Sequence, residues 1–101
     1  MYVIIMMDTK DAKVNALGVC ENYYKAIGEG IMELSDYCRK SSYDCIEIEL
    51  PIKDEASNAT VFEAWADCAG ETEDERGIIC SIWIIPTDRK WYGYLRMGRR
   101  K

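Results

Sequence analysis

Hydrophobic and polar positions recur with different periods along the chain, and these periods predict its elements. Residues 2–7 are all apolar, which is typical of a central strand buried on both faces. Apolar residues then recur at steps of three and four, which predicts one long amphipathic helix over 12–40. Gly28 and Gly30 lie inside it and each cost about 1 kcal/mol relative to Ala, so we expect a close approach to a sheet there. The apolar positions of this predicted helix are Leu17, Cys20, Tyr24, Ile27, Ile31, Leu34 and Cys38.

The remainder of the chain has the period of strands. Residues 43–52 alternate strictly, which predicts a strand with Ile46, Ile48, Leu50 and Ile52 inward and Cys45, Glu47 and Glu49 outward. A polar loop over 53–59, a strand over 60–69, an acidic turn over 70–77 and a strand over 78–85 follow, then a turn over 86–89 and a last strand over 90–97. The order β-α-β-β-β-β predicts an α/β (α+β) fold: a two-layer sandwich with one long helix packed on a mixed, mostly antiparallel sheet.

The hairpin registers predict which side chains share a face of the sheet. A turn centred near Asp74 places small and aliphatic residues together as a bed for the helix: Phe62, Ala64, Ala66 and Cys68 beside Ile84, Ile82 and Cys80. Cys68 then lies opposite Cys80, where a cross-strand disulfide is conceivable, although free thiols are expected. The opposite face carries the candidate binding residues Glu47, Glu49, Glu63, Trp65, Asp67, Trp83, Tyr92 and Tyr94.

This predicted face is a row of aromatic rings bordered by carboxylates. An exposed apolar patch of that size indicates a partner, and rings surrounded by carboxylates attract organic cations and arginine-rich surfaces. A row of aromatic rings would also stack nucleobases, but the nearby carboxylates oppose a phosphate backbone. A purely structural alternative is that the rings form a second small core, under the 53–59 loop or in a homodimer interface.

Charge is distributed unevenly along the chain. The net charge is −5, but six of the 13 basic residues and none of the 18 acidic ones lie in residues 89–101, which leaves −11 on residues 1–88. An acidic body attracts basic partners and repels nucleic acid, although solubility alone is a competing explanation. Residues 95–101 form a basic end that we expect to be frayed.

Composition disfavours catalysis and metal binding. The chain contains no histidine, the commonest general base and metal ligand. Its five cysteines have no C-x-x-C spacing, and no activating neighbour is evident in the sequence. We therefore expect a non-enzymatic protein without a metal or cofactor. We predict a cytoplasmic single domain over residues 1–101 with free thiols. This prediction depends on the odd number of cysteines, the lack of an apolar span and the lack of a recognisable leader.

Two stretches resemble a known family. Residues 61–67 (VFEAWAD), an acidic turn and residues 78–86 (IICSIWIIP) are similar to a strand, turn and strand of gyrase-inhibitor-like (GyrI-like) effector-binding domains, and residues 23–34 resemble the helix that precedes them. The resemblance, which covers 23–34 and 61–86, implies a pocket for cationic or amphipathic ligands, or binding to another protein. It places Glu63 at the family's glutamate position and Trp65 and Trp83 among the pocket aromatics.

These observations predict a non-catalytic binding module that docks its aromatic and acidic sheet face on a basic protein surface. By analogy, compact acidic domains of this kind are accessory or inhibitory proteins of phages and mobile elements that act on nucleic-acid-processing enzymes. The alternative is a small-ligand effector-binding domain that uses the same face for cationic amphiphiles.

Overall fold

The structure, a computed structural model, describes residues 1–72 and 74–87. Seven elements follow one another: β1 (Tyr2–Asp8), β2 (Lys13–Cys20), α1 (Tyr23–Lys40), β3 (Glu47–Ile48), β4 (Ile52–Asp54), β5 (Ala59–Ala66) and β6 (Gly77–Pro86). The strands form one sheet in the order β2-β1-β6-β5-β3, with β4 also paired to β5, and every neighbouring pair is antiparallel. Helix α1 packs on one side, which confirms the predicted two-layer α+β class; the strand predicted over 90–97 lies outside the described residues.

The helix predicted over 12–40 is wrong in its first part, where the chain forms strand β2. The carboxylate of Asp8 accepts hydrogen bonds from the backbone N–H groups of Lys10 and Asp11, and Ala12 has φ 53°, so the chain turns back on β1. A β-bulge beside Ile4 and Ile5 inserts an extra residue into the ladder. The bulge allows Leu17 and Cys20, three residues apart, to pack on the same core, which produces a helix-like spacing within a strand.

Polar residues cap both ends of helix α1. The side chain of Asn22 caps it by accepting a hydrogen bond from the N–H of Lys25, and Ser41 ends it. Gly30 lies against the sheet: a Cβ there would be 2.7 Å from Cγ2 of Ile82. Gly28 has nothing within 4 Å of its Cβ position, so the predicted close approach is confirmed for Gly30 and wrong for Gly28. Within the described residues, α1 is not long and apolar enough to cross a membrane.

The core lies between α1 and the sheet. Small side chains on β5 and aliphatic ones on β1 and β6 form the bed of the helix, as the face assignment predicts. The buried members are Ile4, Cys20, Ala26, Leu34, Phe62, Ala64, Ala66, Ile79, Cys80, Ile82 and Ile84.

The β5–β6 hairpin keeps its predicted faces but not its predicted register. A turn centred near Asp74 pairs Trp65 with Trp83, whereas the structure pairs Val61 with Trp83, a slip of four residues. An even slip leaves every side chain on its face. The slip and a bulge at Ala64/Trp65 end β5 at Ala66, earlier than predicted. Cys68 is consequently an exposed loop residue with φ 59°, so the predicted position of Cys68 opposite Cys80 is wrong.

The strand predicted over 43–52 is two short strands. Glu47 and Ile48 pair with Trp65 and Ala64, and β4 pairs with β5 in a register displaced by one residue. The chain between them bulges outward at Leu50, which is 86% exposed rather than inward. This displacement also moves Ile52 to the side of the sheet opposite the helix, against the prediction, while Ile46 packs on the core as predicted.

Candidate functional site on the outer face of the sheet

The side of the sheet away from α1 is here called the outer face. Its members follow from the registers, because paired residues on neighbouring strands point to the same side and alternate residues point to opposite sides. It includes Val3, Ile5, Met7, Val14, Ala16, Val19, Glu47, Glu49, Ile52, Val61, Glu63, Trp65, Ile78, Ser81, Trp83 and Ile85.

An apolar row crosses the centre of the outer face from edge to edge. Ile52, Val61, Trp83, Ile5 and Ala16 are successive cross-strand partners on β4, β5, β6, β1 and β2. The indole N–H of Trp83 donates to the hydroxyl of Ser81 at 3.1 Å, so the polar atom of this ring is already bonded. The row is well covered at Val61, which is 2% exposed, and open at Ile52, which is 53% exposed.

The β1–β2 end of the outer face is aliphatic, and the sequence interpretation missed it. Val3, Met7, Val14 and Val19 extend the apolar surface beyond Trp83. Val14 and Val19 are 61% and 40% exposed. Because residues 12–22 are predicted as helix, their side chains are not assigned to a sheet face. The β-branched valines and the Asp-Thr-Lys-Asp segment after residue 7 were the available signals for a hairpin.

Carboxylates border the apolar row on the side of β3. Glu49 lies opposite Glu63, with its N–H donating to the carbonyl of Glu63 at 2.9 Å. Neither carboxylate has an ion-pair partner within residues 1–72 and 74–87. Like charges directly opposite each other destabilise a sheet, so this pair is an unfavourable arrangement that a nearby cation would relieve. Glu47 lies opposite Trp65, with its carboxylate 3.8 Å from the guanidinium of Arg76.

Asp67 is predicted on this face, but it lies in the loop beyond β5. Its carboxylate accepts a hydrogen bond from Nη1 of Arg76 at 2.6 Å, and the same nitrogen donates to the carbonyl of Cys45 at 3.1 Å. These contacts tie the loop to the segment before β3. Hydrogen bonds from Arg76 and then from the Cys45 thiol lower the pKa of Asp67. Its charge is therefore already compensated, and we exclude it from the binding face.

Trp65 and Trp83 share the outer face without forming the predicted row. Trp65 pairs with Ile78, whereas Trp83 pairs with Val61, so the two rings lie in different cross-strand rows. The indole N–H of Trp65 is buried and has no acceptor among the described residues. A buried unpaired donor is costly, and an acceptor from outside those residues would remove the cost. Tyr92 and Tyr94, the other predicted aromatics, lie outside the described residues.

Four of the five thiols have a raised pKa. Burial raises the pKa of Cys80 to about 12. Burial and a contact to the carboxylate of Glu29 at 3.2 Å raise the pKa of Cys20. The pKa of Cys38 is raised by burial, and that of Cys45 chiefly by its hydrogen bond to Asp67. A reactive cysteine needs a lowered pKa, and these four have the opposite shift.

Metal ligation has no visible basis in the part of the chain that is described. No group of three or more Cys, Asp or Glu side chains within residues 1–72 and 74–87 is arranged to hold an ion.

Comparison with protein-family models, curated proteins and solved structures finds no match to this chain. The likeness to gyrase-inhibitor-like domains therefore stays a prediction from short motifs.

Proposed function

We propose that the protein is a non-catalytic binding module that docks the outer face on a basic surface of another protein. The observation that carries this is the pairing, on one sheet face, of an apolar row that is open at its two ends, Ile52 and Ala16, with two opposed carboxylates, Glu49 and Glu63, that lack an ion-pair partner among the described residues. The exposed apolar side chains of this face, Ile52, Val14 and Val19, are of the kind that marks interaction sites.

The occupant follows from the chemistry of the face. Tryptophan anchors at the centre of an apolar patch supply a large share of interface energy. Trp83 is the middle residue of the apolar row. The opposed glutamates add a requirement for positive charge beside that anchor, and residues 1–88 carry a net charge of −11 to steer a basic partner. A surface with arginines flanking aliphatic side chains meets both requirements.

A cationic amphiphile, the ligand of the alternative function, has the same chemistry on a smaller scale. Small ligands bind in concave sites, and within residues 1–72 and 74–87 the clefts beside Glu29 and beside Tyr23 both lie on the helix side of the sheet. We therefore place the protein partner first and keep the amphiphile as a competing outcome of the same titration.

The test measures binding of a labelled peptide of alternating arginine and leucine by fluorescence anisotropy, with glutamate replacing arginine in a control peptide. Trp83→Ala is expected to weaken binding by about 30-fold, the equivalent of about 2 kcal/mol for an interface anchor. Glu63→Lys is expected to weaken it about tenfold by reversing one charge of the opposed pair.

Matched controls lie on the exposed side of α1. Met32→Ala removes an exposed apolar side chain, and Glu33→Lys changes the net charge as Glu63→Lys does. Both should leave binding within about twofold of the unsubstituted protein, since surface changes away from an interface are nearly neutral. Circular dichroism checks that each variant folds. If Trp83→Ala does not fold, Glu63→Lys still tests the proposal.

The proposal fails if the basic peptide binds all four variants equally or binds no more tightly than the acidic peptide. Dimers that dissociate in Trp83→Ala, seen by sedimentation, would instead identify a second copy of the chain as the occupant. Saturable tryptophan quenching by a hydrophobic cation, without peptide binding, would favour the small-ligand alternative.

A further inference from the structure

A cleft of about 500 Å³ lies on the helix side of the sheet, at the start of α1. Its lining includes Tyr2, Tyr23 and Tyr24, together with Lys53 and Asn58. Ile84 and Pro86 on β6 contribute apolar surface. The volume is within the range of small-ligand sites, which combine apolar walls with a few polar groups.

The cleft exists because α1 covers only part of the sheet. The helix packs over β1, β2 and β6, touches β5 slightly and makes no contact with β4. Lys53 on β4 pairs with Thr60, so its side chain belongs to the helix side of the sheet. The space above β4 beside the first turn of α1 is therefore left open.

Three neighbouring tyrosine rings line the cleft, with interplanar angles of 56° between Tyr2 and Tyr23 and 72° between Tyr23 and Tyr24. The ring centroids of Tyr2 and Tyr23 are 5.2 Å apart, and those of Tyr23 and Tyr24 are 5.5 Å apart. The hydroxyl of Tyr23 is hydrogen-bonded to that of Thr60 at 2.7 Å, which holds the middle ring in place. Tyr24 is 80% exposed and presents its ring at the rim. The exposed ring of Tyr24, edge to face with the hydrogen-bonded Tyr23, offers an aromatic face on which a planar ligand can stack.

Among the described residues, the lining carries positive charge and no carboxylate. Lys53 is its one charged member, and the first turn of α1 contains no acidic residue to offset the positive end of the helix dipole. The adjacent Asp54 accepts hydrogen bonds from the N–H and hydroxyl of Ser57, which lower its pKa and engage its carboxylate within the loop. This is a locally cationic site in a protein of net charge −5.

We propose that the cleft binds a small planar aromatic anion, a ring that carries one carboxylate or phosphate group. The ring of the ligand stacks on the exposed ring of Tyr24, and the anionic group is held by the Lys53 ammonium and the Asn58 amide. Rings and cation line the same cleft, so a ligand that carries both features can contact both. The site is separate from the outer face, and either proposal can fail without the other.

The test is an amide NMR titration of the full chain with 4-hydroxybenzoate and, in parallel, phenyl phosphate. Phenol supplies the ring without the charge, and inorganic phosphate supplies the charge without the ring. We expect saturable shifts of the amides of Tyr23, Tyr24, Lys53 and Asn58 with at least one of the two aromatic anions. The anion that binds more tightly identifies the carboxylate or the phosphate as the ligand group.

Variants then separate the two recognition elements. Lys53→Ala and Tyr24→Ala change exposed side chains and are each expected to weaken binding about fivefold or more. Lys13→Ala, an exposed lysine on β2, and Met32→Ala, an exposed apolar side chain on α1, should change it by less than about twofold. Absence of saturable shifts with both anions, equal binding of phenol, or unchanged affinity in Lys53→Ala would overturn the proposal.

Discussion

Gly30→Ala and Gly28→Ala form a matched pair of substitutions that tests how α1 is packed. Both glycines lie inside the same helix, and both substitutions add one methyl group. A Cβ at residue 30 would be 2.7 Å from Cγ2 of Ile82 and 3.4 Å from Cδ1 of Ile84, whereas a Cβ at residue 28 meets nothing within 4 Å. Favourable carbon contacts lie at roughly 3.5–4.0 Å, so only the first substitution creates overlap.

The expected magnitude follows from two terms. Replacing Gly by Ala in a helix interior raises the free energy of unfolding by about 0.8–1 kcal/mol in both variants. Overpacking of a core costs about 1–3 kcal/mol, and it applies only at residue 30, where the fully buried Ile82 is β-branched and cannot easily rotate away. Gly28→Ala should therefore be about 1 kcal/mol more stable than the unsubstituted protein, and about 1–3 kcal/mol more stable than Gly30→Ala.

Urea denaturation followed by far-ultraviolet circular dichroism measures both variants against the unsubstituted chain. In thermal melts, 1 kcal/mol corresponds to about 4–8 °C for a domain of this size, so the separation between the two variants is readily measured. Equal stabilisation in both would show that residue 30 does not contact β6 closely. It would contradict the packing that defines which side of the sheet is the outer face.

Three further outcomes are expected. Gly77→Ala should destabilise the β5–β6 hairpin in urea denaturation, because a Cβ there would overlap backbone atoms on the other side of the loop, which cannot rotate away. Arg76 lowers the pKa of Asp67 from its ordinary 3.8, so their interaction stabilises the fold above that pH and is lost as the pH falls through the lowered pKa. The stabilities of Arg76→Gln and the unsubstituted protein, compared by urea denaturation across pH, should therefore converge in acid. In thiol labelling followed by mass spectrometry, exposed Cys68 should react at once, whereas Cys80, which is buried with a pKa of about 12, should react only on unfolding.

Which side chains face the helix was predictable from the sequence. It depends only on the alternation of residues along each strand and not on the exact pairing between strands. Placing Glu63, Trp65 and Trp83 away from the helix is confirmed, although the hairpin register is displaced by four residues. An odd displacement would have exchanged the faces. The signal was that one face of the hairpin is mostly small or aliphatic, as at Ala64, Ala66 and Ile82, which is typical of a surface buried under a helix.

The errors come from places where the local period is interrupted by an extra residue. The bulge in β2 gives Leu17 and Cys20 a helical spacing. The outward bulge at Leu50 exchanges the faces, so that odd-numbered residues of β3 but even-numbered residues of β4 lie on the outer face. Periodicity cannot report such an insertion, because the register on the two sides of a bulge is fixed by pairing with distant strands. Tertiary pairing rather than local propensity therefore decided both segments.

Adjacent residues of β4 serve the two proposed sites, and this gives the sharpest joint test. Ile52 pairs with Val61 on the outer face, whereas Lys53 pairs with Thr60 on the helix side and lines the tyrosine cleft. Ile52→Lys should weaken binding of the arginine-leucine peptide about tenfold or more, because it removes apolar contact and adds repulsion, and it should leave binding of the aromatic anion unchanged. Lys53→Ala should do the reverse. Both side chains are exposed, so neither change should prevent folding. If each substitution affected the other ligand instead, β4 would be displaced by one residue, because a one-residue shift sends each side chain to the opposite face.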